Sequence, residues 1–207
     1  MGRPREHDER TAAALLDAAE QMIERDGIDA LALREVARRA DTSTRAVYSL
    51  FGSKEALLGA LGARSFELLT EGLRAIPGTA DPRGDLIEAA LMFRRFTIEH
   101  PALFSISFHR VDPAVWPRFQ HAANDALGLL HQRFEPLAAA DLLSGSTVAE
   151  AATEFHALCE GMAAVELRAR PPGTDIERLW RNGFHALITG FADCPRQDTP
   201  GLRRAAR

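Results

Sequence analysis

The chain has only two cysteines, Cys159 and Cys194. That is too few for a disulfide scaffold, and free thiols in a reducing compartment are the simpler expectation. Long apolar runs are missing as well. No stretch approaches the ~18–20 residues that a membrane span needs. The opening MGRPREHDER is charged with no apolar segment behind it, so no signal peptide is expected. HExxH, GxSxG, a Walker loop and Cys/His metal spacing are all absent, and the seven histidines are scattered. No catalytic site, metal or cofactor is therefore expected. Strand alternation is lacking, as is any repeat of about 20–50 residues. Lysine is nearly absent: of 25 basic residues, only Lys54 is not arginine. Codon usage alone can produce that bias, so it carries little functional weight.

What remains is a 207-residue chain of helical patterns, long enough for a real core. A leading arm, residues 2–7, contains Pro4, which blocks early helix formation. A helix is expected from Asp8 to Asp26, with Leu15, Ala19, Met22 and Ile23 as its buried stripe and Gly27 as its stop. Another should run from Lys54 to Ala75 and end at Pro77-Gly78. Further helices are expected over Asp85–His100, over a short segment from Pro101, and from Asp112-Pro113 to about Leu143 with a kink near Pro136. After the Ser144-Gly145-Ser146 loop come Thr147–Arg170 and Thr174–Ala192, then a polar tail that frays. The expected fold class is all-α, about nine helices: three small ones in front and a larger bundle behind.

Leu31 to Lys54, LALREVARRADTSTRAVYSLFGSK, organises the rest. Leu33, Val36, Ala37 and Ala40 recur at helical spacing. Asp41-Thr42-Ser43 interrupts, because these side chains compete for backbone hydrogen bonds. Ser43 is placed to cap a second helix, Thr44 to Leu50. Val47 and Phe51 can face inward, which leaves Thr44, Arg45, Tyr48 and Ser49 outside. Hydroxyls, one Arg and one Tyr suit hydrogen bonding in a DNA major groove. Ser53 caps the next helix, and its N-terminus beside Lys54 favours a phosphate.

Charge follows the same division. The chain carries −4 overall, which counts against indiscriminate nucleic-acid binding. Residues 31–54 nonetheless hold five basic and two acidic groups, and Arg3 and Arg5 add two positive charges in the arm. Residues 6–30 hold two basic and eight acidic groups. Positive charge is thus confined to the candidate reading surface, which includes Arg34, and to the arm.

The order LREVARRA–DTST–RAVYSLFGSKEALL resembles the DNA-binding domain of the tetracycline-repressor (TetR) family, over residues 8–60. The resemblance implies an all-α homodimer that binds operator DNA through an N-terminal helix-turn-helix and small molecules in a C-terminal bundle. By position it puts Ser43, Thr44, Arg45, Tyr48 and Ser49 on the recognition helix and Lys54 on a phosphate. Two positions depart from the pattern: Asp41 stands where Gly is usual, and Ala32 where a Ser or Thr cap is usual. The domains expected are 1–53 for DNA binding and 54–207 for ligand binding and dimerisation, linked by helix 54–75. Arg45 has two readings, a guanine contact or a phosphate contact. Tyr48 can give its hydroxyl to a phosphate, and Arg3 and Arg5 can enter a minor groove.

In the second half, aromatic residues concentrate: Phe93, Phe96, Phe104, Phe108, Trp116, Phe119 and Phe155. An apolar pocket with a few polar groups fits that composition, with His109, His156 and Glu160 as the polar candidates. His156 and Glu160 share a helix face. EFHALCEGMAAVELR also resembles the penultimate helix of one TetR subgroup, at Gly161 but not at His156 or Glu160. The last two helices carry Leu158, Met162, Val165, Leu179, Trp180, Phe184, Leu187, Ile188 and Phe191, more apolar surface than two terminal helices should expose, so a dimer face is expected there. The function expected is a cytoplasmic, ligand-responsive repressor whose partners are operator DNA and a largely apolar effector. The alternatives are an activator of the same family, or an all-α enzyme or small-molecule-binding protein with a structural helix-turn-helix.

Overall fold

The computed structural model describes residues 3–109, 116–169 and 173–193, with side chains at all of these except 3–7, 109 and 193. Among the described residues there are nine α-helices and no strand. They are α1 (Arg3–Asp26), α2 (Leu33–Arg39), α3 (Thr44–Phe51), α4 (Lys54–Ala75), α5 (Pro82–Glu99), α6 (Pro101–His109), α7 (Pro117–Ala139), α8 (Val148–Arg168) and α9 (Ile176–Asp193). A 3-10 turn, Ile28–Ala30, joins α1 to α2.

Most ends follow local chemistry. Gly27 takes φ 83° and its N–H donates to the Ile23 carbonyl at 2.9 Å, which closes α1. The Ser43 and Ser53 side chains accept from the backbone N–H of Ala46 and Ala56 at 3.2 and 3.1 Å, capping α3 and α4. Ala32 precedes α2 with no side-chain cap, as its side chain dictates. Thr147 and Glu150 cap α8 reciprocally.

Several boundaries differ from expectation, and four of them have a clear local cause. Helix α1 starts at Arg3 rather than Asp8, because Pro4 falls in the first turn, where its missing N–H has no partner to lose. Helix α5 starts at Pro82 rather than Asp85, because the Asp81 carboxylate accepts from the Gly84 N–H at 3.1 Å and Pro82 takes the first helical position. Helix α9 starts at Ile176, where Asp175 accepts from the Arg178 N–H at 3.1 Å. Helix α7 contains Pro136 but stops at Ala139, short of Leu143. There Asp141 takes φ 57° and the Leu142 N–H reaches back to the Leu137 carbonyl at 2.9 Å. The expected helix start at Asp112-Pro113 lies outside the described residues.

The chain divides into two compact units. The first comprises residues 1–76 and 92–129. In it α1 packs against α2, α3, α4 and α6, and α4 packs against α3 and α6. Leu15, Val36, Leu57, Leu61 and Leu103 are fully buried. Arg64 of α4 pairs with Asp17 of α1 at 2.5 Å, and Glu20 of α1 meets His100 at 2.7 Å. The second unit comprises residues 77–91 and 130–207. Its α8 and α9 pack together, and Phe134, Phe155, Trp180 and Phe184 form its centre. Trp180 stacks on Phe184, with ring centroids 5.7 Å apart, and gives its indole N–H to Glu166 at 3.0 Å.

Candidate nucleic-acid interface and effector region

Helices α2 and α3 meet through a turn that the sequence specifies residue by residue. The Thr42 N–H donates to the Ala37 carbonyl at 2.9 Å and the Asp41 N–H to the Arg38 carbonyl at 3.3 Å. This double closure needs a left-handed residue, and Asp41 supplies it at φ 48°. Asp tolerates that conformation at more strain than glycine. Asp41→Gly is therefore expected to raise stability by about 0.5–1 kcal/mol, read from the midpoint of urea unfolding.

Val47 is 1% exposed and pins α3 to the first unit's core. The helix then turns Arg45, Tyr48 and Ser49 to solvent, with Tyr48 at 55% exposure, although its ring is large and apolar enough to be buried. Thr44 is half-buried, and Ser43 is exposed beside its capping bond. Basic groups on α2 behave unequally. Glu35 receives two hydrogen bonds from Arg38 at 2.8 and 2.6 Å and one from Arg39 at 2.9 Å. These guanidiniums hold the Glu35 carboxyl down at about 2, so it stays ionised and neutralises its own helix's charge. Arg34 and Arg45 are exposed and Lys54 half-buried, and none of them has a carboxylate partner among the described residues. The side chains of Arg3 and Arg5 lie outside the described residues.

The aromatic residues form two sets, one in each unit. In the first unit Phe96, Phe93, Phe104 and Phe108 follow one another at 5.2–6.3 Å. Phe66 of α4 extends the chain, touching Phe108 at 5.3 Å and Phe119 at 5.7 Å. Trp116 packs against the cluster of Ala63, Phe119 and Ala122. Phe155 belongs to the second unit, where its ring lies 4.8 Å from Phe184 and 5.6 Å from Phe134. His156 and Glu160 are half-buried there, 3.3 Å apart. His109 is on α6, and its side chain is outside the described residues.

Burial depresses the His156 pKa, and the Glu160 carboxylate opposes without reversing it. The folded state then binds fewer protons than the unfolded chain near pH 6, so this stabilisation is present above the ordinary value of ~6.5 and is lost as pH falls. His156→Gln should flatten the loss of stability between about pH 7 and pH 5, measured by urea unfolding at each pH. Cys159 is 1% exposed, and burial followed by the Glu160 charge pushes its thiol well up, which leaves it unreactive.

The expected dimer residues separate by burial. Val165 is 50% exposed, and Leu158, Met162 and Leu187 are half-buried. Trp180, Phe184 and Ile188 are 1%, 0% and 1% exposed within the single chain, so a partner copy cannot reach them. Their place on that face is corrected: they form the core beneath it. Leu179, expected on that face, is 47% exposed, and Leu167, which was not, adds exposed apolar area at 42%. Leu158, Gly161, Met162, Val165 and Leu179 border a groove of about 360 Å³ along α8 and α9.

Comparison with known proteins fits this geometry. A family model described as bacterial regulatory proteins, tetR family, matches residues 15–61. A second, described as a tetracyclin repressor-like C-terminal domain, matches residues 86–187. The chain belongs to the TetR family. Over 72 residues, this TetR-family chain is 39% identical to the HTH-type nicotine-responsive transcriptional repressor HdnoR of Paenarthrobacter nicotinovorans. That match covers 35% of the chain and 36% of the repressor, so it spans about a third of the relative's length. Solved structures share the fold. A protein of unknown function from Rhodococcus sp. RHA1 superposes with a TM-score of 0.78 at 23% identity, covering 88% of this chain and 95% of the other. The fatty acid degradation regulator FadR from Bacillus halodurans gives 0.72 at 14% identity, covering 86% and 94%. No helix among the described residues is long and apolar enough to cross a membrane.

Proposed function

We propose that this protein is a ligand-responsive transcriptional repressor that binds operator DNA as a homodimer and is released by a small, largely apolar effector. The observation that carries the reading is the outer face of α3. Arg45, Tyr48 and Ser49 stand exposed on a helix whose inner residue, Val47, is locked in the core. The neighbouring Arg38 and Arg39 are already engaged by Glu35, which leaves Arg45, Arg34 and Lys54 to meet a duplex. Ser43, Thr44 and Lys54 then contact phosphates, and Arg3 and Arg5 reach the flanking minor groove.

In this reading residues 1–53 read DNA and residues 54–207 bind effector and dimerise, with α4 as the link. The effector lies among the rings of α5, α6 and the start of α7, and the exposed apolar residues of α8 and α9 form the dimer face. The HdnoR likeness supports a repressor that answers to a small molecule. An effector that moves α4 changes the spacing of the two heads, so effector and DNA oppose each other's binding to the same degree. Action on chromosomal DNA makes the protein cytoplasmic.

Footprinting on DNA flanking the protein's own gene tests this. Two protected half-sites about 10 bp, or ~34–36 Å, apart or at a multiple of that spacing are expected. A single unpaired half-site would exclude the paired-head arrangement.

A further inference from the structure

Ser65 on α4 and Ser107 on α6 are 0% and 6% exposed, and among the described residues neither hydroxyl has a hydrogen-bond partner. Buried hydroxyls of this kind are unfavourable, and native proteins keep few of them. The two helices pack together. The residues next in sequence, Phe66 and Phe108, meet across the junction with ring centroids 5.3 Å apart. Each serine therefore stands one residue before a ring of the aromatic wall at the α4–α6 junction. Phe93 continues that wall 5.8 Å from Phe108. Phe66 and Phe108 are only part-covered, so the wall has an open side.

The neighbouring buried polar groups are already engaged. The Thr97 hydroxyl donates to the Arg94 carbonyl at 2.8 Å, and Glu20 is bonded to His100 at 2.7 Å. Among the described residues Glu20 is the one charged side chain in the buried set. The charged groups nearest in the chain or bonded to it, Arg64 beside Ser65 and the Glu20–His100 pair, are already paired, so an ionic head group placed at this junction would have to displace one of them. A neutral oxygen would find two hydroxyls that can donate or accept.

We propose that Ser65 and Ser107 are the polar end of the effector site, and that the site takes an uncharged, oxygen-bearing apolar molecule of the alcohol or ketone class. This rests on the effector-controlled reading above and names the chemistry of its ligand. Because Ser65 is on α4, a ligand held there bears directly on the helix that carries the reading head.

The test uses the full chain with Ser65→Ala, Ser107→Ala and the double variant, and Ser105→Ala on α6 as a control for helix propensity. Without ligand, each buried-site variant should melt about 2–4 °C higher than wild type, and by more than the control does. The probes are 2-nonanone and 1-nonanol, with nonanoate and nonylammonium as charged partners of equal length, followed by calorimetry. The neutral probes should bind wild type at ~1 mM or better and lose roughly fivefold or more in the double variant; the ions should not bind. The proposal is overturned if the alanine variants gain nothing over the control, if neither neutral probe binds, if an ion binds as well, or if the double variant keeps full affinity. No operator is present in the melting and calorimetry arms; a separate arm adds the ketone to protein bound to operator. A ketone that binds through the serines yet fails to release bound operator would sink the regulator reading and leave this assignment standing.

Discussion

Arg45→Ala combined with Tyr48→Ala is expected to abolish specific operator binding while the protein keeps its helical content and melting temperature. Both side chains are exposed, so the fold loses no packing when they are removed. The double change instead strips α3 of its one guanidinium and its one phenol. If Arg45 forks onto a guanine, its loss alone should weaken the specific site by about 1–3 kcal/mol and relax the preference at one base pair. If it meets a phosphate, affinity for all sequences should fall together and the salt dependence should drop by about one contact per head. Electrophoretic mobility shifts with an operator and a scrambled duplex separate the two.

The second large effect is at the junction of α4 with α7. A Cβ added at Gly62 would lie 2.7 Å from Cε1 of Phe119, and one at Gly59 would lie 2.7 Å from Cγ of Trp116. Phe119 is 0% exposed and has nowhere to go, whereas Trp116 is only half-buried and can yield. Gly62→Ala should therefore destabilise by about 1–3 kcal/mol, more than Gly59→Ala, despite the ~1 kcal/mol that alanine gains in helix propensity. Gly128→Ala on α7, where a Cβ would meet nothing within 4 Å, should show that gain and stabilise. Phe119→Ala alone should lose about 3–5 kcal/mol. Combined with Gly62→Ala the loss should be less than additive, because the alanine methyl then occupies part of the vacated ring space. Denaturant unfolding of the four proteins gives the cycle directly.

The reading head was largely legible in the sequence because its determinants are local. Ser43, Ser53, Gly27 and Asp41 each act on backbone groups a few residues away, and each does in the fold what its chemistry predicts. The Asp81-Pro82 start of α5, three residues ahead of the expected Asp85, is equally local: an Asp cap followed by Pro at the first helical position. The second half was less legible because its geometry depends on which helices cross. Periodicity puts Trp180, Phe184 and Ile188 on one stripe but not on one side of a protomer, and they turned inward. The aromatic residues read as one set, yet Phe155 packs with Phe134 and Phe184 in a different unit from Phe93 and Phe104. Phe66 joins the first set to α4 through Phe108 and Phe119, contacts that depend on how α4 crosses α6 and α7. Ser65 and Ser107 gave no signal at all, since a hydroxyl's missing partner becomes visible only in three dimensions.

In the proposed function α3 offers an uncommitted cationic and hydroxyl face to a duplex. This is tested most directly by fluorescence anisotropy of a labelled duplex, taken from the DNA flanking the gene, titrated with protein from 50 to 300 mM salt. With two heads making about 4–6 phosphate contacts, the logarithm of the association constant should fall linearly with the logarithm of salt, at a slope near −4 to −5. The Arg45→Ala, Tyr48→Ala protein should not bind that duplex specifically. Binding that ignores salt, or that survives the double substitution unchanged, would contradict the account.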